Sequence, residues 1–163
     1  PRLVIDETTG LPAMRFDGNA DYLQFTTRLT NVRTVFFVVK EDTAATSDLR
    51  TLLGDVSTFN FLGGSGAPGP IWHSSSSSSL VRGGLTVLNG VSVDGTTAAR
   101  PRTMSVLSVT TTGDTIASLF GTQNGSIRFW WGDLAELVIY DRALNTSERQ
   151  QVEAYLKTRY GTP

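Results

Sequence analysis

The sequence predicts an all-β fold: a two-sheet antiparallel sandwich of jelly-roll type, closed by one C-terminal α-helix. Three observations carry that expectation. Serine, threonine and glycine are abundant, and short runs rich in β-branched and aromatic residues are separated by turn residues. Some ten such runs follow one another with no repeat and no linker, which suits one domain over residues 1–163. Only the last stretch has helical periodicity.

Leu3-Val4-Ile5 is the first strand, followed by a polar turn from Asp6 to Pro12. Met14-Arg15-Phe16 and Tyr22-Leu23-Gln24-Phe25 flank Asp17-Gly18-Asn19-Ala20-Asp21, whose residues permit the dihedrals of a tight reversal. The two runs are therefore expected to form a hairpin, with Leu23 and Phe25 facing inward. Thr34 to Lys40 is the most hydrophobic run; apolar on both faces, it belongs in mid-sheet with cover on both sides. Glu41 to Asp48 is a polar loop. Arg50 to Leu53 and Ser57 to Leu62 are weaker strands, and Gly63 to Pro70 is a glycine-proline turn region.

Ile71-Trp72-His73 leads into six consecutive serines, Ser74 to Ser79. Such a tract has little to bury and is disordered alone; flanked by Trp72 and Leu80-Val81 it also reads as an edge strand, and both readings stand. Leu85 to Leu88 and Val91 to Val93 form a hairpin, because Asn89-Gly90 favours the type I′ turn that matches strand twist. Asp94 to Arg102 is a loop. Met104 to Val109 and Thr115 to Phe120 are two strands joined by Thr110 to Asp114. Gln123-Asn124-Gly125-Ser126 is a turn, and Ile127 to Trp131 leads into the C-terminal unit.

That unit is a buried strand, Leu134 to Tyr140, and a helix over residues 146–160. With Ala135, Leu137 and Ile139 inward, Leu134, Glu136, Val138 and Tyr140 need cover, which the helix provides. Asn145 is its N-cap, Glu148 reaches back to the cap amide, and Gly161 supplies the left-handed residue that ends it. Val152, Tyr155, Leu156 and Tyr160 make its apolar stripe.

Residues 132–161, GDLAELVIYDRALNTSERQQVEAYLKTRYG, resemble the C-terminal signature of the laminin-G-like, concanavalin A-like lectin/glucanase superfamily, in particular modules of bacterial and phage surface proteins. Arg15-Phe16-Asp17-Gly18-Asn19-Ala20-Asp21-Tyr22-Leu23 is similar to the opening strand pair of the same group. The two motifs lie near opposite ends, so the resemblance spans essentially the whole chain. It implies a concanavalin A-like sandwich at an extracellular surface or in a virion. It leaves function open, because the superfamily holds lectins, enzymes, adhesion modules and structural parts.

Composition excludes several classes. The chain has 163 residues and no cysteine, which removes structural disulfides and thiolate metal sites. Fourteen basic against fifteen acidic residues leave no basic block for nucleic acid. No apolar run approaches membrane-spanning length, so no membrane insertion is expected. The chain begins at Pro1, consistent with removal of an initiator or leader or with excision from something longer.

Aromatic rings stacked on sugar faces are a common means of carbohydrate recognition by a neutral β-sandwich, which makes Trp72, Trp130, Trp131 and Tyr22 the candidate ligand contacts. Trp130 and Trp131 are adjacent on a strand and point to opposite faces; one fills the core, and the other is either a platform or packs under a neighbouring element. Asp17, Asn19 and Asp21 alternate like the first three ligands of a calcium loop, but Tyr22 and Arg28 stand where its glycine and bidentate glutamate belong. Calcium is thus a candidate ligand beside a plain turn, and no cofactor is required.

The glucanase branch uses closely alternating acids on one strand. Here the nearest pair, Asp133 and Glu136, is three residues apart and expected on opposite faces, which argues against glycoside hydrolysis. His73, the sole histidine, has no nucleophile elbow to serve. The expectation is a non-catalytic binding or adhesion module for carbohydrate. The alternative is a structural accessory of a phage virion, either capsid-decorating or tail-associated. Partners are a glycan or another surface or virion protein, with homo-oligomerisation open, and an enzyme ranks third.

Overall fold

The structure, a computed structural model, describes residues 1–123 and 128–163. In chain order the elements are β1 (Arg2–Ile5), β2 (Pro12–Asp17), β3 (Leu23–Glu41), β4 (Arg50–Thr51), β5 (Leu53–Gly54), β6 (Leu62–Gly63), α1 (Ser79–Arg82), β7 (Leu85–Leu88), β8 (Val91–Val93), β9 (Ser105–Phe120), β10 (Trp131–Tyr140) and α2 (Thr146–Tyr160). The protein is mostly antiparallel β-sheet with a C-terminal helix. The main sheet has the order β1-β2-β10-β3-β9-β7-β8, with β5 also on β9; β4 and β6 pair separately. Neither helix is long and apolar enough to cross a membrane.

The run that looked apolar on both faces sits in the middle of this sheet. Val35, Phe37 and Val39 enter one core with Leu107, Val109, Phe61, Ile71 and Trp72. Phe36 and Val38 enter another with Val106, Met104, Leu144, Leu156 and Tyr160, on the face that α2 covers. All five of these β3 residues are fully buried. Complete burial of such a side chain contributes roughly 1.5–3 kcal/mol, so this strand's centre stabilises the fold through both layers at once.

Several expectations are corrected. The runs flanking residues 17–21 do not pair as a hairpin, because β10 lies between β2 and β3 and bonds to both. Tyr22–Phe25 and Thr34–Lys40 are not separate strands: residues 23–41 form one strand, which absorbs three register shifts against β9. Likewise residues 105–120 form one strand through the threonines. Thr111 and Thr115 hydroxyls donate to the carbonyls of Arg33 and Val32 at 3.1 and 2.9 Å, bonding backbone acceptors where the register slips. The weak strands over 50–62 shrink to the short β4, β5 and β6.

The serine tract follows neither expected reading. His73 Nδ1 accepts the amides of Ser75 and Ser76, Ser77 Oγ donates to the Leu62 carbonyl, and Ser78 caps α1 by accepting the Leu80 amide. The tract is a turn that starts a one-turn helix. The Asn89-Gly90 hairpin forms as expected, with both residues at positive φ. Residues 124–126 of the expected turn and Ile127 of the lead-in lie outside the described residues.

A bulge at Ala135 changes the expected pleat of β10. Leu134 pairs with Val39 and Glu136 with Val38, so β10 carries one residue more than β3. Leu134 therefore turns into the main core with Leu137 and Ile139, while Ala135, Val138 and Tyr140 lie under α2.

The helix matches expectation at both ends, with a reciprocal Asn145–Glu148 capping box and Gly161 at φ 60°. Its sheet-facing stripe is rotated: Arg149, Glu153, Leu156 and Tyr160 are buried, while Tyr155 is 54% exposed. The cause is a polar anchor missed in the sequence. Glu153 accepts from Ser108 Oγ and from Arg149, both at 2.6 Å, pinning the helix to β9. Asn145→Ala is expected to cost about 1 kcal/mol, read as a lower urea midpoint with unchanged slope.

Candidate functional site

The four candidate aromatic residues occupy three different environments. Trp72 is fully buried, its Nε1–H donating to Thr86 Oγ1 at 2.8 Å and its ring meeting Phe61 edge-on at 6.0 Å. Trp130 is also fully buried, in the same core. Neither offers a ring face to solvent, a correction to their reading as ligand contacts; packing against the β3 and β9 face claims both. Tyr22 is 45% exposed and lines a small, mostly apolar hollow with Val56, Leu119 and Phe129. Trp131 is half-buried, as expected for the outward member of the Trp130-Trp131 pair.

Trp131 forms a wall of a cleft of about 620 Å³, lined also by Arg2, Arg15, Phe16, Asp17, Asp21 and Asp42. The sheet assembles it. Trp131 opens β10 directly opposite Asp17, the last residue of β2. The Asp42 amide donates to the Trp131 carbonyl at 3.0 Å, fixing the end of β3 beside it. The loop after β2 then folds onto the indole at Gly18. Its φ is +75°, and a Cβ there would lie 2.6 Å from Trp131 Cβ, so the approach needs glycine. Arg50 places its guanidinium 5.7 Å from the ring centroid, a cation–π contact that helps orient the indole.

The aspartates of this loop are largely engaged with its own backbone. Asp17 Oδ1 accepts the amides of Asn19, Ala20 and Asp21 at 2.9, 3.2 and 3.4 Å. These bonds, that of Asn19 foremost, hold the Asp17 carboxyl below its ordinary value. Asp21 accepts the Asp17 amide at 3.1 Å, and its other oxygen lies 2.7 Å from the Pro1 nitrogen. Turn formation thus accounts for Asp17, Asn19 and Asp21 without an ion. Among the described residues no group of three or more histidine, cysteine, aspartate or glutamate side chains is placed to hold a metal.

Beneath the cleft runs a row of charges. Arg15, Asp133 and Lys40 are cross-strand neighbours on β2, β10 and β3. Arg15 forks both Asp133 oxygens at 2.8 Å, and Lys40 Nζ lies 3.4 Å from Asp133 and also donates to Asp6. The Ala135 bulge also corrects the expected geometry of the acidic pair: Asp133 and Glu136 share the helix-side face. Each is nonetheless engaged, Asp133 as above and Glu136 by the Tyr160 hydroxyl at 2.9 Å and Arg159 at 3.4 Å.

Arg2, Asp42 and Arg50 escaped the sequence reading. Arg2 opens β1, Asp42 follows β3 and Arg50 opens a two-residue strand, and nothing in their spacing signals convergence. The one available signal was Gly18 among the loop aspartates. Comparison of the chain with protein-family models, curated proteins and solved structures finds no match in any of the three.

Gly18→Ala is expected to displace the indole and to cost about 1–2 kcal/mol for the left-handed backbone alone. Thermal unfolding and tryptophan emission read the two effects. Because the folded Asp17 value is depressed, its stabilisation is present above the unfolded aspartate value and is lost as pH falls through the lower folded one. Asp17→Asn should therefore flatten the acid limb of the stability–pH profile, measured by denaturant midpoints across that range.

Proposed function

We propose that this chain is a non-catalytic carbohydrate-binding module. Its curled sheet and the 50–82 segment would form the two layers of a jelly-roll sandwich of the concanavalin A-like kind, displayed at an extracellular surface or on a virion. The observation that carries the reading is the wall of the Trp131 cleft. A sugar presents apolar C–H faces and a rim of hydroxyls, and recognition calls for a flat ring beside directed acceptors and donors. Trp131 supplies the ring; Asp17, Asp21 and Asp42 supply acceptors, and Arg2 and Arg15 supply donors.

The state of the acids supports binding without turnover. Glycoside hydrolysis uses two carboxyl groups free to exchange protons across the scissile bond. Asp133 is 1% exposed and forked by Arg15, and Glu136 is tied to Tyr160 and Arg159. The loop aspartates serve as fixed acceptors, so the proposed site needs no calcium.

A glycan array with the intact chain tests this. Trp131→Ala should lose at least about tenfold in affinity for any glycan bound, with a small change in melting temperature. Trp72→Ala should instead destabilise the fold by about 3–5 kcal/mol, since its ring fills core. A wild-type chain that binds no glycan, or a Trp131→Ala variant that binds as well as wild type, overturns the proposal.

A further inference from the structure

The outer edge of β1 has no partner among the described residues, since β1 ends the main sheet. Two of its exposed side chains are apolar: Leu3 at 69% and Ile5 at 61%. Backbone bonding alternates along an antiparallel strand, so each residue serves one side of it. The Asp6 amide bonds inward to Leu11, and Ile5 stands opposite Pro12, which has no N–H to exchange. Arg2, Val4 and Asp6 therefore bond toward β2, while Leu3 and Ile5 turn their amides and carbonyls outward. The edge thus offers donors, acceptors and apolar side chains on the same two residues. Residues 2–5 carry no lysine, proline or bulge to blunt this edge; its guards are Arg2 at its start and its four-residue length.

We infer that β1 is a self-association edge, which pairs antiparallel with β1 of a second copy across a two-fold axis at Val4. That register sets Leu3 against Ile5 of the second copy and Ile5 against Leu3 of the second copy. The outward amides and carbonyls then meet one another as two doubly bonded pairs. All four exposed apolar side chains fall on one face, because directly opposite residues share a face. The same register sets Arg2 across from Asp6 of the second copy, whose carboxylate is buried against Lys40, so no like charges face each other across the seam. A contact of this kind is isologous and closes at a dimer. The other end of the sheet, β8, is three residues long and carries Val91 at 65% exposure. Pairing of β1 with β8 would be head-to-tail and would propagate.

Sedimentation velocity from low micromolar to submillimolar protein should give a reversible monomer–dimer equilibrium with no larger species. Leu3→Lys with Ile5→Lys should weaken it by about tenfold or more, while Val91→Lys leaves it unchanged. In the wild type, exchange of the Leu3 and Ile5 amides should slow as concentration rises, while that of the Ser92 amide does not. This measurement stands even where the double variant fails to fold. A monomer throughout, a dimer that survives the double substitution, an assembly abolished by Val91→Lys, or edge amides indifferent to concentration would each overturn the inference.

Discussion

The structure depends on the double-sided burial of β3. Between Val35 and Val39 successive side chains enter different cores, and both must be covered or the strand would leave fully apolar faces in water. On one side the cover is α2. On the other it is the irregular segment that carries β4, β5, β6 and α1, together with the part of the sheet that curls over through the register shifts of β3 and β9. That requirement explains why the chain ends in a helix and why a loop-rich segment with little regular structure contributes Leu52, Leu53, Phe61, Ile71, Trp72 and Val81 to the largest core.

Polar groups then decide where these covers sit. The helix is held against β9 by Glu153, which takes a hydroxyl from Ser108 and a guanidinium from Arg149 in a buried setting. Thr34 serves its N-terminal approach, donating to the Arg142 carbonyl and accepting the Leu144 amide. Arg100 does similar work on the other side, bonding Glu41 and the carbonyls of Gly64, Gly66 and Pro70, so that the glycine-proline loop closes over the end of β3. Burying a charge without such partners costs far more than the apolar contacts beside it contribute, so each anchor specifies position more than it adds stability.

Local chemistry made part of this legible in the sequence. The capping box of α2, the Asn89-Gly90 turn and the doubly apolar β3 depend on residues near one another in the chain, and each appears as expected. What failed depends on partners distant in sequence. The insertion of β10 between β2 and β3 joins residues about 90 to 120 positions apart, so a turn-like loop after Phe16 looked like a hairpin. Continuous β9 was hidden by a threonine-glycine stretch whose strand character comes from pairing with Val32 and Thr34. The extra residue at Ala135 leaves no mark in composition, yet it decides which side of β10 Asp133 and Leu134 face. Trp130 and Trp131 were correctly expected to divide between core and surface, but Trp72, beside a serine tract, gave no hint that it was core.

The cleft follows from the same constraint. Its members stand at the ends of β2, β3 and β10, the strands locked together by the Arg15–Asp133–Lys40 row and by the apolar pairs behind it. Each anchor there is rigid: Trp131 is fixed by its register with Asp17, Arg15 by its fork on Asp133, and Asp17 by three amides of its own loop. A site whose ring and hydrogen-bonding groups are already positioned loses little conformational entropy when a ligand arrives, which lets a small contact area suffice. The charge row that secures the sheet thus also holds the groups of the cleft wall in place above it.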